Sequence, residues 1–224
     1  MNKVLAYCGL LQEEGVSLPA VGVNDAPVEV MTSGALALLW SQVEWPFASS
    51  SMQRHAVEFH EVISHVFRQR AVAPFRLLSV FEDRESLSSF LAQHGSDFAA
   101  DLERLRAFVQ MECVAYVARP EFVTDTVSGL RYLQHKAELL HRLEDYTERV
   151  KTALAGTSAE IRVREVKQGV RIFALVERGR EQEFASIAGD VPVSEGLARR
   201  LSGPWPAAEF LSAQVKAPKI AEAT

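Results

Sequence analysis

The order of segments after residue 107 constrains the chain most. FVQMECVAYV (108–117) has the apolar, β-branched and aromatic composition of a strand, and Arg119-Pro120 ends it. A helical period then runs from about Thr126 to Ala155. Its apolar stripe is Leu130, Leu133, Ala137, Leu140, Leu143, Val150 and Leu154, and Gly156-Thr157 closes it. AEIRVREVK alternates, Gln168-Gly169 supplies a tight turn and VRIFALVE follows, which predicts a hairpin. Residues 180–187 suit a short helix with Phe184 and Ile187 facing a core, and VPVSEGLARRLSGPWPAAEFL gives a last, irregular strand region. Strand, long helix, two strands, short helix, strand is the βαββαβ order of the split ferredoxin-like unit. Right-handed crossovers would place both helices on one face of an antiparallel sheet.

Residues 1–107 read as a second α+β unit. KVLAYCGLL (3–11) and ALALLWSQV (35–43) predict buried strands, and AVGVN and PVEVMTSG predict short ones between turn signals at Leu18-Pro19 and Asn24-Asp25-Ala26-Pro27. From Met52 to Gln69 the period is helical, with Ala56, Phe59, Val62, Ile63, Val66 and Phe67 on one arc. AVAPFRLLSVF (71–81) predicts another strand, at an edge or bulge because of Pro74. Asp83 can cap the helix that follows, in which Gly95 is a candidate break point. The predicted fold class is therefore α+β with two domains: an N-terminal α+β domain (1–107) and a C-terminal ferredoxin-like domain (108–212) with an antiparallel sheet. Residues 213–224 lack periodicity and are expected to form a loose tail.

Composition narrows the function. With 24 Lys and Arg against 29 Asp and Glu, the formal net charge is -5, so no general basic balance draws the chain to nucleic acid or anionic lipid. GALALLWSQV is about half of the ~20 residues a membrane helix needs, and the N-terminus has no signal-peptide cleavage pattern. A cytoplasmic protein without a membrane span is expected. The 2 cysteines, Cys8 and Cys113, sit far apart in apolar runs and read as buried thiols rather than a disulfide or zinc site.

Few residues invite a catalytic reading. His55, His60 and His65 are five apart on one helix, whereas ligands on one face need spacings of three or four. They spread from the apolar arc (His55) through its edge (His60) to the polar side (His65). His135 and His141, near Glu138 and Glu144, fit a solvated charged face of the long helix. Neither nucleotide-binding glycine signature is present, nor a G-x-S-x-G elbow. No catalytic, cofactor-binding or metal-binding residue is predicted, and no cofactor. Arg76 interrupts the apolar run APFRLLSVF and is expected on the solvent face or paired with a carboxylate. Trp205, held between Pro204 and Pro206, lies in a stiff extended segment unsuited to a central strand. As a large aromatic ring, it is expected to pack between or under the domains. Arg76 and Trp205 are the two partner-binding candidates.

Several segments taken in order resemble the gas vesicle proteins GvpF and GvpL. They are the tyrosine-bearing strand VLAYCGL, the serine-ending strand LALLWSQV, and His60-Glu61 leading into APFRLLSVF. Glu112-Cys113-Val114, Tyr132-Leu133 on the long helix and the closing Gly203-Pro204-Trp205-Pro206 complete the set. Against the family pattern, Leu77-Leu78-Ser79 stands for phenylalanine-glycine-threonine, Cys113 for tryptophan, and Ala207-Ala208 for proline-tyrosine. The resemblance implies a non-enzymatic accessory protein of gas vesicle assembly. It would associate with the small hydrophobic shell protein and with other vesicle accessory proteins, and would be found in the cytoplasm and at the gas vesicle. The competing reading is a regulatory or small-molecule-binding module on a ferredoxin-like scaffold, with a pocket near Arg76.

Overall fold

The computed structural model describes residues 1–77, 79–118, 129–167 and 169–212. The expected tail, the start of the long helix at Thr126 and the turn residue Gln168 lie outside them. The chain divides into two compact units. One comprises Met1–Ala107 with the described residues from Pro206 onward, and the other is Phe108–Trp205. The predicted C-terminal domain ran to 212, but residues 206–212 pack with the first unit. There Arg104 donates to the Phe210 carbonyl at 2.5 Å, and the Ser212 N–H donates to the buried Asp101 carboxylate at 2.6 Å.

The first unit holds an antiparallel sheet of β1 (Asn2–Leu11), β2 (Glu29–Ser33), β3 (Leu36–Glu44), β4 (Ala73–Pro74) and β5 (Val80–Phe81). The order is β2-β3-β1-β4, and β5 also pairs with β1. β1 is buried without a break from Val4 to Leu10, so both of its faces are covered. Helix α1 (Met52–Phe67) lays Phe59 against Tyr7 of β1, ring centroids 5.3 Å apart. Helix α2 (Arg84–Leu105) puts Phe98 against the backbone of Gly9, where an added Cβ would come within 3.3 Å of the Phe98 ring. Asp83 caps α2 by accepting from the Ser86 N–H at 2.8 Å, and that bond lowers the carboxyl's pKa.

Three expectations for this unit fail. AVGVN is not a strand: it forms a 3-10 turn over Val23–Asp25, with Asn24 and Asp25 in the left-handed region that Asn and Asp tolerate. The run 71–81 is two short strands rather than one. Pro74 has no N–H to donate, and the chain leaves the sheet at Arg76, whose carbonyl accepts from the Ser79 N–H. Gly95 does not break α2. It is a buried position packed near Leu36 and Leu91, and that burial outweighs glycine's penalty of about 1 kcal/mol in a helix.

The second unit follows β6 (Phe108–Val117), α3 (Gly129–Leu154), β7 (Ser158–Val166), β8 (Gly169–Glu177), α4 (Glu181–Asp190) and β9 (Leu197–Trp205). Its four strands form an antiparallel sheet in the order β7-β8-β6-β9. Gly169 starts β8 where any side chain would strike the Ala115 carbonyl oxygen, at 2.1 Å from the position of its Cβ. The last region is a nine-residue strand at the sheet's edge, and it is irregular as expected: its pairing with β6 shifts register between Gln110 and Glu112. There Pro204, without an N–H, interrupts no inner ladder. Helices α3 and α4 pack on the face that carries Cys113, with the Cys113 thiol 3.8 Å from the Tyr146 hydroxyl. Arg199 closes the C-terminal end of α4 by donating to the carbonyls of Ala188, Gly189 and Val191.

Candidate functional site

Two residues that carry the family resemblance in the first unit, Tyr7 and Ser41, are fasteners. The Tyr7 hydroxyl accepts the Val23 N–H at 2.9 Å, and the Ser41 hydroxyl donates to the Pro27 carbonyl at 2.7 Å. Glu58 accepts the Asn24 N–H at 2.9 Å. Together they hold the 22–27 turn against β1, β3 and α1. Gly22 is required there, because a Cβ would lie 2.2 Å from the Tyr7 oxygen. Burial raises the pKa of Tyr7, so the phenol stays a neutral hydrogen-bonding group. The His60-Glu61 pair is exposed on α1, with His60 3.1 Å from the Ser64 hydroxyl.

In the second unit Glu112 is only 5% exposed, although it lies on the sheet face opposite the helices. Its carboxylate pairs with Arg171 of β8 and accepts from the Ser202 hydroxyl at 3.4 Å. The Ser202 oxygen in turn accepts the Trp205 indole N–H at 3.3 Å. A buried carboxylate requires such partners, since an uncompensated one would be strongly destabilising. Gly203 allows β9 to approach β6 here. Its φ is 125°, and a Cβ would fall 2.7 Å from the Met111 sulfur and 3.0 Å from the Gln110 carbonyl oxygen.

Arg76 and Trp205 belong to different units. Arg76 is exposed, in the turn between β4 and β5 rather than inside the single strand expected over 71–81. Trp205 is less buried than a large aromatic ring usually is. It is 39% exposed, at the end of an edge strand.

The stripe expected on α3 divides in two. Leu143, Val150 and Leu154 are buried, together with Tyr146, whereas Leu133 is 62% and Leu140 52% exposed, with Ala137 exposed between them; the side chain of Leu130 lies outside the described residues. Leu133, Ala137 and Leu140 stand at i, i+4 and i+7, so they form one apolar strip on the helix's N-terminal half. Sequence reasoning found these residues as part of one continuous apolar stripe and gave no sign that the stripe divides.

The thiols and histidines do not converge on a reactive centre. A nucleophilic cysteine needs a lowered pKa. Burial instead pushes Cys8 up to about 12 and raises Cys113 as well. His55 is buried against Phe47, with ring centroids 4.3 Å apart, while His65 is half-buried beside Ser17. His141 is exposed near Glu144 and Asp145, and the side chain of His135 lies outside the described residues. Among the described residues no group of three or more His, Cys, Asp or Glu is placed to hold a metal ion, and no helix is long and apolar enough to cross a membrane.

The family model for gas vesicle synthesis protein GvpL/GvpF matches residues 3–212. No curated protein matches the chain in sequence. Its fold is similar to the crystal structure of gas vesicle protein GvpF from Anabaena sp. PCC7120, with a TM-score of 0.75 at 14% identity, over 95% of this chain and 97% of that one. It is also similar to GvpF from Microcystis aeruginosa, with a TM-score of 0.72 at 13% identity, over 94% and 99%. With its mixed α/β architecture and antiparallel sheets, the chain belongs to the GvpL/GvpF family of gas vesicle synthesis proteins.

Proposed function

We propose that the protein is a non-enzymatic assembly factor that holds the small hydrophobic shell subunit before it joins a growing gas vesicle. On this reading it works in the cytoplasm, at the vesicle surface. Its N-terminal α+β domain is a scaffold, and its C-terminal domain is a ferredoxin-like unit that makes the contact. The observation that carries this reading, beside family membership, is the strip of Leu133, Ala137 and Leu140 that α3 presents to solvent. An apolar shell subunit aggregates unless its exposed surface is covered, and a helix with an apolar strip covers such a surface by side-to-side packing.

The strip fits reversible holding. Complete burial of a leucine contributes about 1.5–3 kcal/mol, so two half-exposed leucines contribute roughly 2–3 kcal/mol together. That is enough for selectivity and little enough for release. Arg76 and Trp205 are the further contact candidates. Co-expression of the full chain with the shell subunit tests the reading. The wild type is expected to keep the subunit soluble and to copurify with it, and Leu133→Lys with Leu140→Lys is expected to reduce recovery at least about tenfold. No copurification with any shell or accessory subunit would refute it.

A further inference from the structure

The sheet of the first unit runs farther than the helix that covers it. Leu38, Trp40 and Gln42 alternate onto one face of β3, and Leu38 pairs with Gly9, the residue that meets Phe98 of α2. That face therefore belongs to α2. Burial falls away along it: Leu38 and Trp40 are buried, and Gln42 is exposed. α2 begins at Arg84, whose guanidinium lies over the Trp40 ring, 5.8 Å from its centre. Past that point no helix covers the face, and a recess of about 260 Å³ opens. Its floor is the directly paired Val4 and Gln42, with Asn2 beyond Val4 on the same face of β1. Trp40 and Arg84 close one end, and Glu29 of β2 stands opposite Trp40. Sites for drug-sized ligands measure about 300–1,000 Å³, so the recess suits a smaller molecule.

Most of the charge bordering the recess is already engaged. Lys3 pairs with Glu82, and the Asp83 carboxylate accepts from the Ser86 N–H and hydroxyl at 2.8 and 2.7 Å. Arg84 and Glu29 remain. Both flank the Trp40 ring, yet among the described residues neither makes an ion pair or a side-chain hydrogen bond. The side-chain amides of Asn2 and Gln42 are unbonded in the same sense. The Trp40 indole N–H adds a further donor: the residue is 4% exposed and its nitrogen has no acceptor. Buried donors are nearly always paired, and one left without an acceptor is costly.

We propose that this recess binds a small zwitterion, a free α-amino acid with a polar side chain. The two unengaged charges are of opposite sign, and a ligand that carries both complements them. Its carboxylate takes the Arg84 guanidinium and the indole N–H, and its ammonium takes Glu29. Its side chain meets the amides of Asn2 and Gln42. Arg84 is exposed, and its movement off the ring admits the carboxylate to the indole. Other occupants fit less well. A simple anion would meet the carboxylates of Glu29, Glu82 and Asp83, and a simple cation would meet Arg84. Among the described residues no group of three or more His, Cys, Asp or Glu is placed to hold a metal ion. A nucleobase finds no stacking surface, because Trp40 is buried and Arg84 lies over its face.

The test titrates the full chain with L-serine, L-asparagine and L-glutamine by calorimetry. Each is compared with analogues lacking its ammonium or its carboxylate, which for serine are 3-hydroxypropanoate and ethanolamine. At least one amino acid is expected to bind and to raise the melting temperature, with its analogues at least about tenfold weaker. Arg84→Ala is expected to weaken binding at least about tenfold, and Trp40→Phe, which keeps a ring but removes the N–H, at least about threefold. Glu29→Gln is expected to remove the amino acid's advantage over its ammonium-free analogue, an effect that a merely structural role would not produce. Melting curves of ligand-free Arg84→Ala and Glu29→Gln that overlay the wild type show that the losses are local. No binding of any of the three amino acids at about 10 mM overturns the proposal. So does equal binding of an ammonium-free analogue, which would make this a plain carboxylate site. Binding unchanged by both Arg84→Ala and Glu29→Gln would overturn it by placing the ligand elsewhere. Shell-subunit recovery measured with Arg84→Ala is expected to be unchanged, so the recess and the leucine strip of α3 stand or fall separately.

Discussion

The two units differ in where they place their distinctive residues. In the first, Tyr7, Ser41 and Asp101 are buried and bonded to neighbouring backbone, and Phe75, Phe81, Phe90 and Phe98 make a cluster of ring contacts. In the second, two leucines of α3 are presented outward. Family resemblance in the first unit is thus a record of how a scaffold is fastened. Partner chemistry is therefore sought in the second.

The comparison breaks if substitutions in the first unit alter binding of the shell subunit while leaving stability intact. The largest expected effect is Phe98→Ala. Phe98 is 1% exposed and stacked on Phe75 at 5.6 Å, and its loss should cost about 3–5 kcal/mol, read as a lowered denaturation midpoint. Gly203→Ala comes next, at about 2–3 kcal/mol by thermal melting. It strains a positive φ and drives a methyl into Met111 and the Gln110 carbonyl. Tyr7→Phe leaves the Val23 N–H buried without its acceptor and should cost about 1–3 kcal/mol.

Tyr7 also gives a pH signature. Burial raises its folded-state pKa above the unfolded value near 10, so the neutral phenol is favoured. Its contribution is fully present below pH ~10 and is lost as pH rises through the folded value. Cys8, raised from 9.0 to about 12, adds the same sign from a lower onset. Stability is therefore expected to fall between pH about 9 and 12, and Tyr7→Phe should flatten part of that fall. An unchanged alkaline limb in Tyr7→Phe would show that Tyr7 does not titrate with folding. The smallest stability effect belongs to the second unit's surface: Leu133→Lys should stay within about 0.5 kcal/mol of wild type.

Much of the scaffold was legible because burial and period agree there. KVLAYCGLL and ALALLWSQV are continuous apolar runs that became β1 and β3, and the alternation of AEIRVREVK with the turn signal Gln168-Gly169 marked the strands β7 and β8. The failures share a cause: pattern records residue chemistry but not which surfaces meet. The strip at Leu133, Ala137 and Leu140 has the period of a packed helix face, yet lies on the outside. Trp205 has the size of a core residue, yet ends an edge strand. The run 71–81 has strand composition throughout, but Pro74 and the Arg76–Ser79 turn divide it. The recess beside Trp40 was beyond reach, because its walls come from three separate strands and the start of α2, and only register and packing bring them together.

The most direct test of the assembly role is co-expression of the full chain with the small hydrophobic shell subunit, with the soluble, copurifying fraction measured for wild type and for the Leu133→Lys, Leu140→Lys double variant. The account predicts a stable soluble complex for wild type and at least a tenfold loss for a double variant that melts like wild type. Equal recovery with both proteins would contradict the apolar strip as the holding surface, and no recovery with either would contradict the holding role itself.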